Sequence, residues 1–381
     1  MEQDNMIGLL VIGVFQAVLL MLLLLTKRNK SVADYILAGY LVLSGLLLFL
    51  TYLEIWNWNN NLQHIWLTNL RTPFILLIGP VLWMYVKSVT EQHFRFKLKY
   101  LLTLIPFLLV LGMFTARNYF RPDLTITAAP NPESLNNQFS FFFIIGLIAI
   151  SNVGYTAWGL VLIGRYKKAL KTYFSSTEKI NHDWLRFILI SALIAYSGIS
   201  GLYIANAMLN LMDYQVLQQA GYGIAAMLVL VIGFFGLRKG SIFTSSNIVF
   251  DLEKAIDTEE SAIKLTSDEE VFVHRLLEFM KAEKPHLDPD INLALLSGKL
   301  KVSPEYLSSI LNSRLNKSFF DFINHYRIEE FKQLCKDPGK KNLTLISLAY
   351  ESGFNSKATF NRVFKREMNC TPSEYYSRVS T

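Results

Sequence analysis

Lys357, Arg362, Lys365 and Arg366 fall within ten consecutive residues that contain no acid. Residues three and four apart share a helix face. Lys357, Ala358, Asn361, Arg362 and Lys365 therefore form one strip of a helix, and Phe360, Val363 and Phe364 form the opposite one. The apolar strip needs a core, and the other strip can recognise anions and polar edges. A guanidinium fork takes both acceptors of a guanine edge, an alanine methyl meets the methyl of thymine, and an ammonium pairs with phosphate. Charge alone would equally suit a solvated basic face. Upstream, Glu305, Ser308, Ser309 and Asn312 face out from a helix that buries Leu307, Ile310 and Leu311. Short serine side chains reach base edges poorly, so the weight falls on the downstream helix.

Other chemistries lack their residues. Cys335 and Cys370 have no CxxC spacing, and the six histidines never fall at metal-ligand spacing, which excludes a disulfide scaffold and a zinc finger. No GxSxG, phosphate loop or HExxH occurs. The chain is read as a non-enzyme that needs no cofactor and no metal.

Two pairs of short helices must hold the outward strips. In the first, Leu293, Leu296 and Leu300 face a core, Lys301 and Val302 turn, and Ser303 with Pro304 caps and opens the next helix. In the second, Thr344 caps a helix bearing Leu345, Leu348 and Ala349. Gly353 then supplies a turn that a Cβ would obstruct, and Asn355 or Ser356 caps the basic helix. Between the pairs, Ser318 to Cys335 reads as an amphipathic helix with Phe319, Phe320, Phe322, Ile323, Tyr326, Phe331 and Leu334, stopped by Asp337, Pro338 and Gly339. A rigid helix between two helix-turn-helix units would hold both strips on one face, suited to successive major grooves about 34 Å apart.

Upstream again, Ser267 to Lys284 reads as a connecting helix. Ser267 with Glu270 makes a capping box, and Phe272, Val273, Leu276, Leu277, Phe279 and Met280 supply an apolar stripe. Such a stripe needs a partner, either the following domain or its counterpart in a homodimer. The stretch from Lys239 to Lys284 is net acidic, which argues against DNA or anionic lipid as its partner.

Composition divides the chain. Of 381 residues, 52% are hydrophobic and 18% charged, where an ordinary soluble domain is about 25% charged. Seven segments reach about the 20 residues a membrane span requires: Ile7 to Thr26, Tyr35 to Leu53, Trp66 to Val86, Tyr100 to Ala116, Phe139 to Gly164, Phe187 to Leu209 and Val216 to Leu237. Glu2 and Asp4 stand where a signal peptide would be basic, so the first segment is expected to be retained. Fifteen Lys and Arg fall in the loops on one side, while the other side holds three, Arg71, Arg117 and Arg121, and the positive side faces the cytoplasm. The amino terminus then lies outside, with Trp56, Trp58 and Trp66 at the outer interface, and the chain beyond Lys239 lies inside.

Within the spans the only charge is Arg71, expected either to snorkel to the outer surface or to form an outward-facing anion site. Ser197, Gly201 and Ala205 suit close helix packing. Gln16, Asn152, Asn206, Gln218 and Gln219 either bond between helices or line a ligand cavity. The seventh span has no lysine and no span has a central acid, which excludes a retinal Schiff base and argues against a pump.

The stretch LISLAYESGFNSKATFNRVFKREMNCTPSEYY resembles the signature of the AraC family of bacterial transcription regulators through Ala349, Gly353, Phe354, Phe360, Phe364, Lys365 and Pro372. Leu293, Leu296, Leu300, Ser303, Tyr306, Leu307 and Arg327 match upstream, so the resemblance covers residues 285–378. Ser297 and Phe331 stand where that family prefers alanine. Asn369 replaces its glycine, a change asparagine tolerates because it visits left-handed geometry. The resemblance implies base reading by Glu305, Ser308 and Ser309 from the first unit and by Lys357, Ala358, Thr359 and Arg362 from the second. Helix starts at Ser318 and Thr344 would offer amides to phosphates, with Lys317, Lys365 and Arg366 as further phosphate contacts.

The resulting expectation is an all-α chain in three parts: a seven-transmembrane helix bundle (1–239), a linker and connecting helix (240–284), and an all-helical DNA-binding domain with two helix-turn-helix units (285–381). It resembles the membrane-bound branch of the family, a one-component regulator of the bacterial inner membrane. Its expected partners are promoter double-stranded DNA, the lipid bilayer, RNA polymerase and a small-molecule or envelope signal. Two rivals stay open: a transporter or receptor with an accessory DNA-binding domain, and an inert anchor that releases the domain by proteolysis.

Overall fold

A computed structural model of the chain describes residues 2–28, 30–60, 64–67, 69–91, 94–120, 135–176, 183–209, 211–212, 214–238 and 267–379. Helices dominate, and among the described residues there is no strand, only one isolated bridge between Phe174 and Asn292. Two compact units result: Met1–Ile163 with His182–Asn247, and Gly164–Asn181 with Ile248–Thr381.

The first unit contains α1 (Glu2–Thr26), α2 (Val32–Asn59), α3 (Thr72–Thr90), α4 (Ile105–Phe120), α5 (Leu135–Ala149), α7 (Asp183–Leu209) and α8 (Tyr214–Arg238). A π-turn, Ile150–Gly154, joins α5 to α6 (Tyr155–Tyr173). Six helical segments among the described residues are long and apolar enough to cross a membrane, rather than the seven expected. The last expected span is helical, but its described apolar stretch, Val216–Val231, is shorter than the others. Val11, Ile12, Phe15 and Leu22 of α1 stay exposed, a surface compatible with lipid.

Proline inside α3 explains how the bundle is joined at its centre. Pro80 has no N–H for the Leu76 carbonyl one turn back. Ser151 of the π-turn donates its hydroxyl to that carbonyl at 2.7 Å, and Asn152 Oδ1 accepts from the Gly79 amide at 2.9 Å. A Cβ on Gly79 would stand 2.4 Å from the Ser151 carbonyl oxygen, so only glycine permits the approach. Asn152 is thus a bonder between helices, as is Gln16, which donates to the Leu230 carbonyl at 3.3 Å.

Two expectations fail here. Arg71 does not snorkel: α2 runs past its expected end and carries the buried Glu54, whose Oε2 lies 2.8 Å from Arg71 Nε. Arg71 Nη2 also donates to Tyr222 Oη at 2.8 Å, and Tyr222 donates to Glu54 at 3.1 Å. Charge in low dielectric is tolerated when paired and hydrogen-bonded. Ser197 and Gly201 are exposed, with open space around Gly201, so they do not make the close packing expected of them within this chain.

The second unit contains the end of α6 and α9 (Ser267–Ala282), α10 (Leu293–Leu300), α11 (Pro304–Ser313), α12 (Phe319–Lys336), α13 (Leu345–Glu351), α14 (Lys357–Met368) and α15 (Pro372–Val379). Phe272, Leu276 and Met280 of α9 are buried with Leu293, Leu296, Leu307, Ile310, Leu311 and Ile323. The stripe offered as a homodimer seam is therefore filled by the first helix-turn-helix unit of its own chain. The side chains of the expected capping box at Ser267 lie outside the described residues. A second core forms where α12 meets α13, α14 and α15, built on Phe320, Phe331, Leu348, Phe360 and Phe364. Phe331, the departure from the family's alanine, packs its ring 4.8 Å from that of Phe360 and 5.4 Å from that of Phe364.

Candidate nucleic-acid interface

From α11 to α14 each helix starts on a side-chain cap, which fixes where its outward strip begins. Ser303 accepts from the Tyr306 amide at 3.1 Å, Ser318 from Asp321 at 3.1 Å, Thr344 from Ser347 at 3.1 Å and Ser356 from Thr359 at 3.3 Å. The alternative of Asn355 as the last cap is thereby resolved in favour of Ser356. Lys301 closes α10 at φ 58°, and Asn369 closes α14 at φ 54°, the left-handed geometry expected where the family has glycine.

On α14, Lys357, Ala358, Asn361, Arg362 and Lys365 are exposed while Phe360, Val363 and Phe364 are buried. Thr359 belongs with the core and not with the strip: it is 1% exposed, because it shares a face with Val363, four residues on. As a base-reading residue it is corrected. The first strip is also narrower than expected. Glu305 and Asn312 are exposed and Ser309 is half-buried, but Ser308 is 2% exposed. Three residues before Leu311, Ser308 falls on the edge of the buried stripe, where a small side chain fits. It too is withdrawn as a base reader.

The phosphate candidates divide. Lys365 is exposed and Lys317 half-buried. Arg366 Nη2 lies 2.6 Å from Asp321 Oδ1, while Ser318 donates its hydroxyl to Asp321 Oδ2 at 2.7 Å. Ser318 and Arg366 are thus brought to one place, but the carboxylate between them already takes part of the arginine's charge. Thr344 is exposed at the start of α13.

In the sequence Arg327 is a matched position with no role of its own. Arg327 of α12 is fully buried and donates from Nε to the His286 carbonyl at 2.9 Å and from Nη2 to the Asp288 carbonyl at 2.9 Å. Nη1 reaches Asn324 Oδ1 at 3.4 Å. Burial draws the guanidinium down to about 10, with Asp288 and Asp290 pulling the other way, so it stays charged at neutral pH. His286, also buried, is held down to about 4 chiefly by burial, and is neutral there. The matched Arg327 signal was present in the sequence; its carbonyl partners were not, because they come from loops with no pattern.

Residues 296–378 match the family model described as a helix-turn-helix domain. The chain is 28% identical over 157 residues to an HTH-type transcriptional regulator in the cgkA 5' region of Pseudoalteromonas carrageenovora, covering 40% of this chain and 91% of that protein. It is 26% identical over 94 residues to the regulatory protein SoxS of Escherichia coli, 25% of this chain and 85% of that one. An HTH-type transcriptional regulator of Staphylococcus aureus strain COL is 33% identical over 90 residues, 24% of this chain but only 12% of that one. No solved structure matches. These likenesses support a DNA-binding transcription regulator with an AraC-type carboxy-terminal domain.

Proposed function

We propose that the chain is a membrane-anchored one-component transcription regulator that reads promoter DNA from the cytoplasmic side, with the amino-terminal bundle as its sensor. The observation that carries the reading is α14: a basic and polar strip wholly exposed, backed by an aromatic core, on the second of two capped helix-turn-helix units. The bundle's apolar exterior and the basic excess of one set of loops support the anchor and the orientation. Trp56 and Trp66, exposed beside His64, suit the outer interface.

Base and phosphate contacts separate experimentally. Duplexes selected from a random pool by the full chain in lipid nanodiscs serve as cognate DNA, and scrambled duplexes as the reference. Arg362→Ala is expected to cost about 1 to 3 kcal/mol on the selected duplex and to flatten preference at one base position. Lys317→Ala should weaken both duplexes alike and reduce the salt slope by about one unit. Equal losses of Arg362→Ala on both duplexes would make that residue a phosphate contact.

Orientation is tested in intact cells. An impermeant thiol reagent is expected to label His64→Cys, in the loop before α3, and to spare Arg95→Cys, in the loop after it. The reverse pattern would place the carboxy-terminal domain on the side without DNA.

A further inference from the structure

The end of α6 belongs to the DNA-binding unit. The helix is continuous from Tyr155 to Tyr173, yet its residues up to Ile163 belong with the bundle and those from Gly164 with the second unit. Tyr173 packs on the core that holds Phe272, Ile291 and Phe322. Phe174 forms the bridge to Asn292, the residue that caps α10. Ser175 is 1% exposed: its hydroxyl donates to the Ile291 carbonyl at 2.6 Å and accepts from Arg327 Nη2 at 3.3 Å, and its carbonyl accepts from Asn324 Nδ2 at 3.0 Å. Ser176 donates to Asn355 Oδ1 at 2.8 Å, one residue before the cap of α14. Four consecutive residues therefore touch the start of the first helix-turn-helix unit, the middle of α12 and the start of the second reading helix.

We infer that Tyr173–Ser176 is a clasp that holds the two helix-turn-helix units in their DNA-reading arrangement, and that α6 is the element by which the bundle sets or releases it. This rests on the regulator reading above. The contacts are of the right kind. Each hydrogen bond contributes modestly in net terms, so the set biases an equilibrium without locking it, as a switch requires. With the clasp seated, Glu305, Lys357, Ala358 and Arg362 are all exposed, in keeping with the clasped state as the one that binds DNA. By contrast α9, which precedes the domain directly in the chain, sits in the first core, with Arg275 donating to the Leu300 carbonyl and Arg314 paired with Glu269. It is a fixed part of one unit. The sensing coordinate is therefore assigned to α6, not to the connecting helix.

The test uses the full chain in nanodiscs with Cys370→Ser. Cys335 is left in place because burial pushes its thiol up to about 11, which keeps it unreactive at neutral pH. Ser176→Cys with Asn355→Cys is treated with a one-carbon bis-methanethiosulfonate, and Lys284→Cys with Glu330→Cys, an ion pair at 2.9 Å within the domain, is the control. The clasp predicts that both pairs join and that the joined 176–355 protein keeps its affinity for the selected duplex. Ser175→Ala is expected to weaken that affinity about tenfold, consistent with losing one or two buried hydrogen bonds. Joining 176 to 355 in the Ser175→Ala chain should restore it, whereas joining 284 to 330, which tightens the same domain without touching the clasp, should not. Joining of the control pair alone, or an unchanged affinity in Ser175→Ala, would overturn the clasp. Tenfold weaker binding after joining would overturn its assignment to the DNA-binding state. A chain that joins at 176 and 355 but selects no duplex would overturn the regulator reading and leave the contact itself standing.

Discussion

Gly353→Ala is expected to destabilise the carboxy-terminal unit by about 2 to 5 kcal/mol, the sum of a strained backbone and an overfilled contact. Gly353 has φ +93°, a region L side chains rarely adopt, and a Cβ there would lie 2.2 Å from the His286 carbonyl oxygen and 2.9 Å from Leu287 Cα. Both are backbone atoms of the segment that precedes α10, so neither swings aside as a flexible side chain would. Moving the His286 carbonyl would also break its bond from Arg327 Nε. The turn of the second unit is thus pressed against the strand of chain that opens the first. Gly298→Ala is the control: this helical glycine has open space around it, and the change should be neutral or stabilise by about 0.5 to 1 kcal/mol. Limited proteolysis of the full chain against temperature reports both. If the two variants unfold within a degree or two of each other, the turn yields more easily than the geometry requires.

Gly353 was legible in the sequence as a turn glycine, and so were the serine and threonine caps, because these are local signals. A cap needs one hydroxyl and the amide three residues on, and nothing distant alters that requirement. The helix strips were legible for the same reason wherever an apolar stripe was large. They failed at the edges. Ser308 and Thr359 are small and polar, so their type points outward, yet each stands three or four residues from a buried Leu311 or Val363. The 3.6-residue period places them in the core, and position outweighs polarity when the side chain is small.

What was not legible depends on partners far apart in the chain. Arg71 looked like an isolated charge near the end of a span because Glu54 was counted beyond the preceding one; the two meet only when α2 runs on to Asn59. Pro80 frees the Leu76 carbonyl within its own helix, but the hydroxyl that satisfies it comes from Ser151, 75 positions away. The eight residues of α15 carry no long apolar stripe of their own; its Tyr375 and Tyr376 fold onto a core made elsewhere. Ser175 and Ser176 have no sequence signature at all. Their meaning comes from Asn324, Arg327 and Asn355, between 149 and 179 positions away.

Arg327→Met is expected to cost about 3 to 5 kcal/mol, comparable to breaking a buried ionic contact. The methionine fills most of the volume but offers no donor, so the buried His286 carbonyl and Ser175 hydroxyl and the part-buried Asp288 carbonyl lose the N–H groups that now serve them. Each stranded acceptor costs about 1 to 3 kcal/mol. Arg327→Lys should recover only part, because one ammonium cannot span two carbonyls and Asn324 as the planar fork does. The guanidinium carbon also sits 5.8 Å from the centre of the Phe354 ring, next to Gly353, so one side chain joins the segment before α10, the turn before α14 and the end of α6. Loss of stability should therefore come with loss of affinity for both halves of a selected duplex. A variant in which contact with one half survives unchanged would mean that the two units keep their arrangement without Arg327. In that case the orienting force lies in the aromatic core around Phe331, and Phe331→Ala, not Arg327→Met, would be the change that separates them.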